Sequence, residues 1–145
     1  EQCDPRAQDK LGGMYATGQG VAKDYTQAAN GYRRAANQGD PLAQYNLGIL
    51  YDEGQGVPQD DKVAVQWYRR AAEQGFADAQ YNLAIMYHNG MGVPQDYVQA
   101  YKWLSIVAEG GNRAALSGRD SIARTMTATQ ISEAERLATE WLRRH

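Results

Sequence analysis

Catalysis in this 145-residue chain would have to be assembled from few groups. His88 and His145 are the two histidines, Cys3 is the single cysteine, and Asp52 and Glu53 are neighbouring carboxylates. Nucleophilic or acid–base chemistry needs a nucleophile beside a base, or two poised carboxylates, converging in a pocket. His145 ends the sequence, and His88 has no sequence partners of the kind that a triad or a metal site requires. On a helix, Asp52 and Glu53 point about 100° apart and do not readily flank one bond. No catalytic residue, no metal ligand and no cofactor is therefore expected, and the chain reads as a non-enzyme. The Gly-x-Gly-Val segments beginning at Gly18, Gly54 and Gly90 could surround an anion with backbone amides. No Gly-Lys-Ser/Thr follows them and no strand precedes them, and a loop that recurs three times reads as a turn of the architecture.

Composition narrows the partners. With 43% hydrophobic and 22% charged residues the sequence is that of an ordinary folded domain. A chain of this length buries roughly two-thirds of its unfolded surface on folding. Lys and Arg number 15 against 17 Asp and Glu, a net charge of -2 without the basic excess that a phosphate backbone demands, so nucleic acid is not expected as a partner. The best apolar run, Trp103 to Ala108 broken by Ser105, is far short of the ~20 residues that span a bilayer. Cys3 alone makes neither an internal disulfide nor a thiolate metal site. The sequence begins at Glu1 and not at Met, the pattern expected of a removed leader or a trimmed chain.

The elements that position these residues come from an internal repeat. Eleven sets of identical residues recur at a spacing of 36, among them Ala7/Ala43/Ala79, Gln8/Gln44/Gln80, Leu11/Leu47/Leu83, Tyr15/Tyr51/Tyr87, Asp24/Asp60/Asp96 and Gly39/Gly75/Gly111. Within a unit, Ala43, Leu47, Leu50 and Tyr51 share one face of a first helix, A. Ala64, Trp67, Tyr68, Ala71 and Ala72 do the same for a second helix, B. Between them, Gly54 to Asp60 supplies glycines that end helix A and an aspartate that caps helix B. Gly39, Gly75 and Gly111 end the B helices, and Asp4-Pro5 opens the first A helix. No such hairpin hides its apolar face alone, so neighbours must stack. The fold expected is all-α, a right-handed α-solenoid of helix-turn-helix hairpins, with repeats at about 4–39, 40–75 and 76–111 in a single domain, 1–145. A capping hairpin closes it at 112–145, its last helix capped by Thr129 and facing inward with Ile131, Ala134, Leu137, Ala138 and Trp141/Leu142. Gly31 stands where later units have Trp67 and Trp103, and Ser105-Ile106 replaces the arginine pairs 33–34 and 69–70, so the third B helix should be the most buried. Residues 40–75 carry six acidic against three basic side chains, 76–111 three against one, and 112–145 four against six.

Ala-Gln-Tyr-Asn-Leu-Gly-Ile-Leu-Tyr at 43–51, Gly-Gln-Gly-Val-Pro-Gln-Asp at 54–60 and Gln-Trp-Tyr-Arg-Arg-Ala-Ala-Glu-Gln-Gly at 66–75 closely resemble the Sel-one-like repeat family, relatives of the tetratricopeptide solenoids. The resemblance covers about residues 4 to 115. The tail, with Arg119-Asp120, Met126-Thr127 and Gln130-Ile131, is similar to the C-terminal cap of bacterial members. The resemblance implies an adaptor or scaffold that binds other proteins, often in bacterial signalling or host interaction, and often exported. An exported, periplasmic setting is the expectation and a cytoplasmic one the alternative. The cysteine pairs of the cysteine-rich members are missing here.

With Leu47 and Leu83 inward, the concave surface should be lined by Tyr45, Asn46, Ile49, Asp52 and Glu53 on one A helix and by Tyr81, Asn82, Ile85, His88 and Asn89 on the next. Asn46 and Asn82 each offer a donor and an acceptor to the backbone of a bound peptide, while Tyr and Ile add apolar contact. The first repeat puts Asp9, Lys10, Gly13 and Ala16 there and should contribute less. The function expected is a non-enzymatic adaptor holding a peptide or a segment of a partner protein on that face. The alternatives are a sensor or enzyme for small molecules or cell-wall fragments, using His88 with Asp52 and Glu53, and a piece of a longer array or homo-oligomer. The arginine pairs on the B helices read as solvated faces, with an acidic partner as the second reading.

Overall fold

The structure, a computed structural model, describes residues 24–145. Cys3, the Asp4-Pro5 cap, the first A helix and its residues Asp9, Lys10, Gly13 and Ala16 lie outside the described residues. The described residues hold seven helices and no strand: α1 (Tyr25–Asn37), α2 (Pro41–Glu53), α3 (Asp61–Glu73), α4 (Ala77–Asn89), α5 (Tyr97–Glu109), α6 (Arg113–Ala123) and α7 (Ala128–Arg144). The chain divides into two compact units, residues 1–76 and 77–145. In the first, α2 pairs with α3 as a hairpin and α1 lies against α2; in the second, α4 pairs with α5, and α5 also carries α6 and α7. No helix among the described residues is long and apolar enough to cross a membrane.

The repeat is exact at the level of helix ends. α1, α3 and α5 are each 13 residues long and begin one residue after Asp24, Asp60 and Asp96. Those carboxylates accept backbone N–H groups of the first turn, from Gln27, from Lys62 and Val63, and from Gln99. Each satisfies donors that a helix start leaves without partners, a contribution of about 1 kcal/mol per cap. α2 ends on Gly54 at φ 68°, in the left-handed region where a side chain is strained. The turn behind it is fixed by bonds from Gln55 N to Leu50 O and from Asp60 N to Tyr51 O, and their counterparts run from Met91 N to Met86 O and from Asp96 N to Tyr87 O. Gly56 has a second reason to be glycine. At φ 76° its missing Cβ would stand 2.2 Å from the carbonyl carbon of Tyr25, so the turn lies directly on the start of α1.

Small residues let the helices of a hairpin approach. Ala43, Leu47 and Gly48 of α2 and Ala64, Val65, Tyr68, Ala71 and Ala72 of α3 are all buried. A Cβ on Gly48 would sit 2.7 Å from Cε1 of Tyr68, a residue only 1% exposed. The same register in the second unit holds Ala84 and Leu104, both buried. A methyl group is gained on one helix where a ring is lost on the other.

α5 is the most buried helix, as expected, because α4, α6 and α7 all pack on it. Tyr101, Trp103, Leu104, Ser105, Ile106 and Val107 are all buried, and Trp103 meets Trp141 of α7 edge to face at 5.7 Å. The Oγ of Ser105 is buried without a hydrogen-bond partner among the described residues. Trp67, at the position of Trp103, is only half-buried, packed against the core of its own unit. α7 starts differently from the expectation. Its cap is Thr127 and not Thr129, because Gln130 stands three residues after Thr127 and returns a bond to its backbone, closing a capping box. Its inner face is Ala134, Ala138 and Trp141, while Leu142 is 39% exposed.

The packing sets two stability predictions. Gly48→Ala should lower stability by about 1 to 2 kcal/mol, overpacking against the fixed ring outweighing the better helix propensity. In a Tyr68→Leu background the same change should cost much less, a coupling readable by a denaturation double-mutant cycle; additive costs would show that this crossing is not what limits residue 48. Ser105→Ala should be neutral or stabilising, since it removes a polar group that gains no bond.

Candidate functional site

The residues expected on the binding face divide between α2 in the first unit and α4 in the second. On α2, Tyr45 is half-buried, its ring 5.3 Å from Phe76 and 6.0 Å from Tyr68. It is thus a wall of its own unit as well as a surface residue. Asn46 and Ile49 are half-buried, and the Asn46 amide makes no bond to a described residue. Asp52 accepts a hydrogen bond from the Tyr68 hydroxyl at 3.4 Å, while Glu53 is exposed. On α4, Tyr81, Asn82 and His88 are half-buried, Ile85 and Asn89 are exposed, and Asn82 likewise makes no bond to a described residue.

The chemistry-bearing residues do not combine as general acid and base. Asp52 interacts with Asp61 at the start of α3, across the turn, more strongly than with its neighbour Glu53. Its carboxyl is pushed above the usual carboxylate range, first by burial and then by Asp61, with the Tyr68 hydroxyl opposing. Gln59 holds that turn by donating to Asp52 O at 3.4 Å and to the Asp61 carboxylate at 2.7 Å. The second unit repeats the clamp with different contents. Gln95 donates to His88 O at 2.8 Å and to the Tyr97 hydroxyl at 3.3 Å, and the His88 ring lies 5.6 Å from that of Tyr97. His88 Nδ1 lies 3.0 Å from Asn89 Oδ1, so an amide and a phenol are its neighbours. No cluster of three or more His, Cys, Asp or Glu suited to a metal ion occurs among the described residues.

A different feature of the first unit was not expected. A groove of about 860 Å³ opens between the end of α1, one face of α2 and the length of α3, lined by Tyr51, Val63, Trp67, Arg70, Gln44 and Gln74 among others. None of the ten residues expected on the binding face lines it. Its floor is Gln44, 4% exposed, which donates to Ala36 O at 3.1 Å and accepts from Gln74 at 2.9 Å. The Gln44 amide thus adds a second donor to the Ala36 carbonyl at the end of α1, which already accepts from Gly39 N at 3.0 Å. Tyr51 accepts from Arg33 at 2.9 Å, and the Arg70 guanidinium lies over the Trp67 ring at 4.8 Å. Periodicity placed Tyr51 and Trp67 in the core. The signal that could have found the groove is a glutamine recurring on an apolar stripe, at positions 8, 44 and 80, together with the arginine pair beside Trp67. Among the described residues of the lining, Glu73 is the one carboxylate, and no histidine, serine, threonine or cysteine joins it.

Comparison with known proteins gives a consistent picture. The Sel1 repeat pattern matches residues 5–40, 41–76 and 77–112. Among solved structures, a protective antigen of uropathogenic Escherichia coli strains displaying an SLR fold is 35% identical with a TM-score of 0.89, over 98% of this chain and 30% of that one. A Sel1 repeat protein from Oxalobacter formigenes is 37% identical with a TM-score of 0.78, over 80% of this chain and 48% of that one. Cysteine-rich protein B of Helicobacter pylori, at 21% identity and a TM-score of 0.65, covers 78% of this chain and 87% of its own and shares the fold. The chain spans less than half the length of the first two. No curated protein matches it.

The Asp52 environment sets a pH prediction. A carboxyl whose pKa is raised on folding adds no penalty while protonated, and it lowers stability as pH rises through that raised value. Asp52→Asn keeps an acceptor for Tyr68 and removes the charge beside Asp61. The variant should match the wild type below about pH 4, where carboxylates of ordinary pKa are protonated, and be the more stable of the two at neutral pH in thermal melts. A wild type more stable at both ends would show that the ionised carboxylate is favourable there.

Proposed function

The chain belongs to the Sel1 repeat family, and from that membership we propose that it is a non-catalytic scaffold holding a peptide or a segment of a partner protein on the exposed faces of its A helices. Sel1 repeat proteins are in general scaffolds for protein–protein interaction. The observation that carries the reading for this chain is the pair of asparagines at one repeat spacing. Asn46 and Asn82 are each half-buried, each with a side-chain amide that makes no bond to a described residue, and each three residues before an isoleucine, Ile49 and Ile85. A primary amide in that setting pairs with a peptide group through both its oxygen and its nitrogen, and the aliphatic neighbour excludes water from the pair. Tyr45, Asp52 and Glu53, with Tyr81, His88 and Asn89, are the flanking contacts of the same reading.

Tyr45 also supports its own unit, so truncating it mixes folding with binding. The double variant Asn46→Ala/Asn82→Ala is the cleaner probe. Used beside the wild type in affinity capture from an extract of the source organism, it should keep the wild-type helical circular dichroism and melt while retaining captured proteins about tenfold less, the effect of losing one or two good hydrogen bonds. Equal retention by a folded double variant would remove the A-helix faces from the binding surface.

A further inference from the structure

We propose that the groove over α3 is a second interaction surface, which takes an extended peptide segment presenting a glutamate or aspartate side chain beside an aliphatic residue. It goes beyond the A-helix reading, since none of that reading's residues lines the groove.

The first argument is charge. Residues 40–75 carry six acidic against three basic side chains, yet among the described residues Arg69 and Arg70 line the groove with Glu73 as the one carboxylate. A third guanidinium, that of Arg33, reaches the groove wall at the Tyr51 hydroxyl. The basic excess is local, set in an acidic stretch of sequence, which selects an acidic partner over a merely polar one.

The second argument is how Arg70 is held. Its guanidinium lies 4.8 Å from the centre of the Trp67 ring and makes no ion pair with a described residue. A guanidinium held over an indole ring keeps its N–H donors, from which a carboxylate can accept two parallel bonds. The same stacking fixes a long side chain before any ligand arrives and so lowers the entropy lost on binding. Trp67 and Val63 supply apolar lining beside Arg70, and the amides of Asn37, Gln66 and Gln74 line the groove within reach of a peptide backbone. At about 860 Å³ the groove lies within the range of sites that enclose a small ligand or a short peptide segment.

The test uses the full chain and two fluorescein-labelled octapeptide pools. Each has one fixed leucine beside one fixed acidic or amide position, glutamate in the first pool and glutamine in the second, with the remaining positions random. Anisotropy gives the affinity, and the indole N–H signals of ¹⁵N-labelled protein, assigned with Trp67→Phe, give the location. The expected result is a preference of about tenfold for the glutamate pool, the worth of one charge-assisted pair, with the Trp67 indole signal shifting as peptide is added. Arg70→Gln should abolish the preference while the melt stays unchanged. Arg70→Lys, which keeps the charge but loses the fork, should reduce it, and serves in place of Arg70→Gln if that variant does not fold.

Equal affinity for the two pools, a glutamate preference that survives Arg70→Gln, or an unmoved Trp67 signal would each overturn the proposal. So would sodium acetate displacing the peptide at equal concentration, since the groove would then be a small-anion site. Failure here is separable from failure of the scaffold reading. An Arg70→Gln bait that retains every captured protein defeats the groove alone, whereas a wild-type bait that captures nothing defeats the scaffold.

Discussion

No helix of this chain can hide its own apolar stripe, and nearly every other feature of the structure answers that constraint. The five helices from α1 to α5 are 13 residues long, about the length at which an isolated helix is marginal in water, so their stability comes from the neighbour each leans on. Alanine dominates the contact faces because it allows close approach with little entropy to lose. The close approach in turn magnifies small differences in volume. Gly48 exists because Tyr68 does, and Ala84 can exist because Leu104 is smaller. A repeat protein of this kind is a chain of local fits, each solved by the residues at one crossing.

The repeat keeps a frame and varies its contents. Aspartates at 24, 60 and 96 start the B helices, and glutamines at 59 and 95 clamp the turns onto the ends of the A helices. Inside that constant frame, a carboxylate pair in one unit gives way to a histidine and a tyrosine in the next. The side chains that differ sit at the same turn, beside the same glutamine, in each unit. That is the physical basis on which one scaffold can present different surfaces without refolding.

The helices, their order and the caps of the B helices were legible in the sequence, because they rest on periodicity and on residues whose backbone preferences are strong. Thr127 was missed as a cap since the choice between two threonines is decided by the reach of Gln130, a contact three residues on. The A-helix faces were legible as sets of residues, but the packing of Tyr45 on Phe76 was not, because Phe76 falls after the helix end where no stripe points to it. The groove was hidden for a related reason. An apolar stripe says that a residue meets other atoms, not whether they cover all of it. Trp67 and Trp103 hold the same position in their repeats, yet the first is half-buried and the second is buried against Trp141 of α7. Coverage depends on which helix is laid over the ring in three dimensions, and spacing along the chain does not record it.

The turn at Gly54 to Asp60 is among the richest in glycine of the described residues, and by composition it would be chosen as a slack linker. The backbone of Gly56 lying against the carbonyl of Tyr25 makes it the opposite. It is a tripod foot, fixed at the end of α2, at the start of α3 and on the first residue of α1. An epitope tag inserted there, or a nick by a protease, would release three helix termini together. Engineering of this scaffold therefore belongs on the helix faces, and the flexible-looking loops are the parts to leave alone.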